Sequence, residues 1–213
     1  MISETGLIGI GIGIGLVGHR YDRAMPLASA NPIATAASEL DATQSSLASL
    51  ELLVPIDARQ LRQVLGQFAT GITVIATRSG DGDLVGLTAN SFGALSLDPP
   101  LITWALRLNS LNLPVFQVAE RFVVNVLAEA QVEVSRRFAS SALNKFDGIP
   151  FALGQSGLPL IHGAAAWFEC RTVSQQILGD HCLFIATVET FARSESAPLI
   201  FHGGAYFTLG SKF

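Results

Sequence analysis

Short β-branched apolar runs, broken by turns rich in glycine, proline and aspartate, recur from Ile72 to the end of this chain. Ile72-Thr-Val-Ile-Ala-Thr77 comes first. Ser79-Gly-Asp-Gly-Asp83 supplies the residues of a tight turn, and Leu84 to Phe92 returns as the partner of a hairpin. Leu101-Ile-Thr-Trp-Ala-Leu106 starts directly after Pro99-Pro100, and Phe122-Val-Val-Asn-Val-Leu127 is another short strand. Ala166 to Val173 alternates, with Trp167, Glu169 and Arg171 on one face and Phe168, Cys170 and Thr172 on the other. Cys182-Leu-Phe-Ile-Ala-Thr-Val188 and Tyr206-Phe-Thr-Leu209 follow. Helical patterns are few. Asp57 is a natural N-cap with Gln60 in capping-box position, and Leu61, Val64, Leu65 and Phe68 then form one apolar face before Gly71. Leu113 to Ala119 is a short helix, and Glu129 to Ala139 is a second, carrying Val132, Ser135, Arg136 and Phe138. Many short strands and few helices predict an antiparallel barrel or sandwich. A doubly wound parallel sheet would need strands and helices to alternate, and here they do not.

Composition narrows what such a chain can do. Of its 213 residues, 49% are hydrophobic and only 14% charged, against about 25% charged in an average domain. Disorder along the whole chain is excluded, because it needs the opposite balance. A dedicated nucleic-acid protein is disfavoured, because a phosphate-binding face needs clustered Lys and Arg, and Lys145 and Lys212 are the only lysines. The net charge of −4 resides in residues 1–57, where Glu4, Asp22, Glu39, Asp41, Glu51 and Asp57 outnumber Arg20 and Arg23. The remainder is neutral, as expected of a domain with large buried surfaces and a subunit interface. Cys170 and Cys182 sit in apolar strands. They read as buried, reduced thiols, which predicts a cytoplasmic setting.

The organisation expected is a flexible extension over residues 1–56 and one folded domain over 57–213. The run Gly6 to Gly18 is too short and too rich in glycine for a transmembrane helix. It is preceded by Glu4 rather than by bases, unlike a secretory signal, although Ala28-Ser29-Ala30 resembles a cleavage site. Gly13-Ile-Gly15-Leu-Val-Gly18 matches a dinucleotide fingerprint literally. That fingerprint works only between a strand and a helix, and no apolar helical stripe follows before Pro26. Residues 26–55 read as a linker.

No nucleophile elbow, P-loop, C-x-x-C or H-E-x-x-H occurs, and the histidines at 19, 162, 181 and 202 are dispersed. Three polar segments beside strands remain. Gly86-Leu-Thr-Ala-Asn-Ser-Phe92 and the following Gly93 to Pro100 offer small hydroxyl and amide donors, suited to a flat heteroaromatic ring or to a simple polar strand edge. Arg107-Leu-Asn-Ser110 suits a phosphate, which guanidinium binds bidentately, or a solvated strand end. In Gly179-Asp-His-Cys182, Asp180 can orient the His181 ring at a cleft mouth, or the pair is a solvated turn.

Taken in order, the segments Phe68-Ala-Thr-Gly-Ile-Thr-Val74, Gly86 to Phe92, Ser96-Leu-Asp-Pro-Pro-Leu101, Phe122 to Leu127, Arg137-Phe-Ala139, Lys145-Phe146, Gly179-Asp-His181 and Pro198-Leu-Ile-Phe-His202 resemble the flavin reductase-like family. This is the FMN-binding split-barrel family, which includes reductase components of two-component flavin-dependent monooxygenases. The resemblance runs over roughly residues 58–210 and leaves the first 50 or so uncovered.

The resemblance implies a six-stranded Greek-key split barrel with flanking helices, in a homodimer. It implies an NADH:flavin oxidoreductase that transfers hydride from NADH to FMN or FAD and supplies reduced flavin to a monooxygenase subunit, with no nucleic-acid or membrane partner and no metal. A flavoprotein with tightly bound FMN and another acceptor, and a flavin-binding protein without activity, are the alternatives on this fold. By the same resemblance Thr88, Ala89, Asn90 and Ser91 line the flavin ring and ribityl chain, and Ala94 and Leu95 approach the ring edge. Arg107 and Ser110 take the phosphate, Phe146 and Tyr206 wall the pocket, and His181 contacts the nicotinamide.

Overall fold

The computed structural model describes residues 56–211. The expectations for the glycine-rich run, the fingerprint match, the cleavage-like triplet and the linker fall on residues outside that range. At the start, Asp57 caps helix α1 (Ala58–Leu65), its Oδ1 accepting the N–H groups of Arg59 at 3.0 Å and Gln60 at 2.9 Å. The helix forms as predicted, but Val64, Leu65 and Phe68 of its apolar side remain solvent-exposed.

Among the described residues every strand lies within Gln63–Phe213, the second of the two units into which the chain divides. The strands are β1 (Thr70–Gly71), β2 (Thr73–Arg78), β3 (Leu84–Ala89), β4 (Gly93–Leu97), β5 (Pro100–Arg107), β6 (Arg121–Val126), β7 (Phe151–Leu153), β8 (Pro159–Ile161), β9 (Ala166–Leu178), β10 (His181–Arg193), β11 (Ile200–His202) and β12 (Ala205–Phe207). Helix α2 (Leu113–Val118) joins β5 to β6, and α3 (Val132–Ala139) follows β6 after a short 3-10 turn. The main sheet has seven strands in the order β3-β2-β6-β9-β10-β5-β4, with every pairing antiparallel. The long hairpin β9–β10 thus inserts between β5 and β6, which are successive in sequence. A three-stranded sheet, β1-β11-β12, and the β7–β8 hairpin lie beside it.

The sheet curls around one core without closing, as in a split barrel. Inward residues two apart on each strand form it: Ile102, Trp104 and Leu106 on β5, and Cys182, Phe184 and Ala186 on β10, join Ile75, Leu87, Ala89, Phe122, Val124 and Cys170. Trp104 stacks on Phe184 at 4.4 Å between ring centroids, and Phe116 of α2 meets it edge-on at 5.1 Å. Strand β2 is buried on both faces, which explains its unbroken apolar sequence. Its outward Val74 belongs to a second cluster with Ile72, Leu127, Phe138, Ile161 and Leu199. Buried Asn125 stitches these layers. Its Nδ2 donates to the carbonyls of Val74 and Pro159 at 3.2 and 3.3 Å, and its Oδ1 accepts the Ile161 N–H at 2.8 Å.

Two expectations need correction. The main sheet has seven strands rather than six, because Gly93–Leu97, read only as a polar segment and turn, is strand β4. A bulge at Leu95, between the Ala94 and Ser96 registers, breaks its alternation and hides it in the sequence. Strands β9 and β10 are each 13 residues long, well past the apolar runs that announced them. The outer half of β9 carries the polar Gln175 and Gln176, which pair with Phe184 and Leu183 of β10, so a hydrophobic pattern read along β9 alone is blind to it.

Candidate functional site

The site arises where the barrel fails to close. Strand β4 pairs only with the first half of β5, its last partner being Thr103. The second half of β5 is left facing β3 across a gap. Ser91, just past β3, spans that gap: its Oγ accepts the Ala105 N–H and donates to the Ala105 carbonyl, both at 3.0 Å. Below this strap the walls diverge into a cleft of about 650 Å³, within the size range of small-molecule sites.

One wall is β3 backed by α3. Thr88 Oγ1 donates to the Ser135 carbonyl at 2.6 Å, which fixes the helix against the strand. Gly86 is the closest approach; a Cβ there would lie 2.7 Å from Phe138 Cε1 and 3.2 Å from Phe146 Cε2. The segment after α3 folds back beneath it. Arg137 Nε donates to the Lys145 carbonyl at 2.7 Å and its Nη2 to the Asn144 carbonyl at 3.0 Å. Lys145 Nζ then reaches the carbonyls of Phe138 at 3.0 Å and Gly86 at 3.4 Å. Burial holds this ammonium below the usual lysine range.

The facing wall is the end of β5 and the turn after it. The Ser110 N–H closes the turn on the Arg107 carbonyl at 3.0 Å. Arg107 stands directly opposite His181 in the β5–β10 register. His181 Nδ1 and Asp180 Oδ1 are 2.7 Å apart, and this hydrogen bond, with the charge of the ring, holds the Asp180 carboxyl below the usual carboxylate range.

The cleft brings together Thr88, Ala89, Asn90, Ser91, Arg107, Ser110 and His181, from segments far apart in sequence. It does not bring in the other four candidates. Ala94 and Leu95 lie on exposed β4. Phe146 sits behind Gly86 with its ring edge-on to Phe138 at 4.8 Å. Tyr206 lies behind α3, its hydroxyl 2.9 Å from Ser135 Oγ. The lining also holds residues that sequence reasoning passed over: Lys145, Ser140, Ser141 and Asn112. Only Lys145 carried a signal, as one of two lysines in the chain and as part of the Lys145-Phe146 segment of the resemblance.

A family model described as the flavin reductase like domain matches residues 65–210. The chain belongs to that family. It is 41% identical over 150 residues to the reductase component of the flavin-dependent trigonelline monooxygenase of Acinetobacter baylyi, covering 70% of this chain and 48% of that relative. It is 37% identical over 150 residues to the FMN reductase (NADH) SmoA of Agrobacterium fabrum, covering 70% of this chain and 85% of that one. The chain therefore spans about half the length of some curated relatives, a Rhizobium meliloti probable flavin reductase at 49% among them, and most of others. The Streptomyces globisporus NADH:FAD oxidoreductase SgcE6, solved with NAD and FAD fragments, superposes with a TM-score of 0.71 at 34% identity, covering 75% of this chain and 97% of that one.

This flavin reductase-like chain has a cleft whose chemistry fits a flavin nucleotide. Short donors line its length, and the cations Arg107 and Lys145 are among its lining residues. Among the described residues, no helix is long and apolar enough to cross a membrane.

Proposed function

We propose that this protein is an NADH-dependent flavin reductase that reduces FMN or FAD and passes reduced flavin to a flavin-dependent monooxygenase. The observation that carries the reading is the cleft at the open seam of the barrel, lined by uncharged short donors and by Arg107, Lys145 and His181, in a chain of this family. Bound flavin supplies the two-electron acceptor for NADH. The chain's own residues bind and orient. In this reading Thr88, Ala89, Asn90 and Ser91 lie along the ring and ribityl chain, with Ala94 and Leu95 near the ring edge. Arg107 and Ser110 receive the phosphate. Phe146 and Tyr206 act from behind, by fixing Gly86 and α3. His181 receives the nicotinamide: Asp180 occupies Nδ1, which leaves Nε2 for the ligand.

The folded domain begins at Asp57 in this reading, and two copies associate. The exposed apolar residues Val64, Leu65 and Phe68 support association. The free, buried thiols Cys170 and Cys182 support a reducing cytoplasmic setting.

The test is to mix the protein anaerobically with NADH and excess FMN, or FAD, and follow the nicotinamide and flavin absorbance bands. Many turnovers with free flavin are expected. A yellow protein that turns over once marks a tightly bound cofactor serving another acceptor, and no NADH oxidation marks a flavin binder without activity. His181→Ala should raise KM for NADH several-fold or more while residual turnover survives. Unchanged KM and kcat for NADH would remove His181 from the site.

A further inference from the structure

We propose that Ser135 is a positioning residue of the flavin cleft: from behind the wall it ties α3 to β3 through its carbonyl and to β12 through its hydroxyl, so that the three-stranded sheet sets where the wall stands. The proposal rests on the flavin-binding reading above. Ser135 is fully buried and does not line the cleft. One turn later on the same helix, Phe138 and Ala139 do line it. The Ser135 carbonyl accepts the Thr88 hydroxyl at 2.6 Å, and its Oγ lies 2.9 Å from the Tyr206 hydroxyl. Among the described residues these are the only direct side-chain hydrogen bonds from α3 to β3 and from α3 to the three-stranded sheet. No strand of that sheet contributes to the cleft lining.

The residue types at the two ends of the outer bond support the assignment. Inside a helix serine is a poorer former than alanine, and its hydroxyl ordinarily bonds back to a carbonyl one turn earlier. Here the hydroxyl reaches out of the helix to Tyr206 instead. A phenylalanine at position 206 would keep the ring contacts, which are the packing on Phe201 at 5.5 Å and the Arg136 guanidinium 5.9 Å from the ring centre. What the phenolic hydroxyl adds among the described residues is the bond to Ser135. One helical residue is thus held on both sides, and α3 is fixed to hydrogen-bond tolerance. The wall has little slack to absorb an error, since a Cβ at Gly86 would lie 2.7 Å from Phe138 Cε1. Without the Tyr206 bond α3 is held on one side only, and Thr88 and Phe138 lose their fixed places in the wall. Displacements of that kind weaken ligand contacts remote from the altered atom.

The test is direct titration of FMN into the full chain, well below its melting temperature. Ser135→Ala and Tyr206→Phe each delete one hydroxyl of the same bond and keep the surrounding packing, and melting temperatures of both are recorded. Each variant should bind FMN about threefold to tenfold more weakly, the equivalent of one neutral hydrogen bond. The double variant should lie within about twofold of either single one, because the second deletion removes nothing further. Thr88→Val breaks the bond on the other side of the helix, and Ser135→Ala added to it should weaken FMN binding less than it does alone. Unchanged FMN affinity in the single variants, whatever their melting temperatures, would reduce Ser135 to a structural tie and overturn the proposal. Additive losses in the double variant would show the two hydroxyls acting separately and would overturn it as well. A wild-type chain that bound no FMN would overturn the flavin-binding reading itself, whereas either of the other two results in a chain that binds FMN overturns only the role of Ser135.

Discussion

Glu169 shows how a single residue can be misread from its neighbours. Its alternation with Trp167 and Arg171 suggests an outward face, yet it is 7% exposed. It accepts from Ser156, through both backbone N–H and hydroxyl, from the Gln155 N–H and from Thr190 Oγ1. Gly154 makes room: a Cβ there would lie 2.5 Å from Glu169 Oε1. Burial pushes this carboxyl up, but the donors outweigh it and hold the group below its ordinary value. Stability from this site is therefore present above the unfolded value of about 4.3 and is lost as pH falls through the lower folded value. Glu169→Gln should cost about 1–3 kcal/mol at neutral pH and flatten the loss of stability below about pH 4.3. Urea unfolding midpoints at pH 7 and pH 3.5 check both. The partners lie 13 and 21 residues away for Ser156 and Thr190, and no local pattern couples such positions.

At the scale of elements, the seam between β3 and β5 depends on very few atoms. Ser91→Ala deletes the hydroxyl that stands in for a ladder rung, and should destabilise the protein by about 1 kcal/mol. Hydrogen exchange at the Ala105 amide should accelerate while amides on β9 and β10 remain protected. On the other side of the cleft, Gly86→Ala places a methyl against Phe138 and Phe146. It should cost about 1–3 kcal/mol through overpacking and, by moving α3 off β3, weaken flavin binding; melting and titration on the same sample test the pair of effects. The strands that build these walls were legible because their cores are β-branched and their turns carry glycine, proline and aspartate. Strand β4 was not, since a bulge at Leu95 removes the period-two signal.

For the whole molecule, the scarcity of charge and the exposed Val64, Leu65 and Phe68 lead to the same expectation of self-association. Analytical ultracentrifugation at micromolar concentration should return a dimer mass, and Phe68→Ser should shift the population towards monomer; a monomer in the unmodified chain would refute the expectation. By itself the sequence determined the class of fold, the seven strand-like runs, the cap at Asp57, the family and the polar segments around Thr88, Arg107 and His181. Those features are written locally, in side-chain period, turn chemistry and ordered motifs. Only the tertiary structure decided that the barrel stays open between β3 and β5, that Ala94, Leu95, Phe146 and Tyr206 stand outside the cleft lining, and that Lys145 enters it. Each of those depends on strand order and polarity, because residues 86, 107, 145 and 181 become neighbours only when seven antiparallel strands fix their relative directions. A linear pattern carries the hydrophobic period of each strand but not which strand stands beside it.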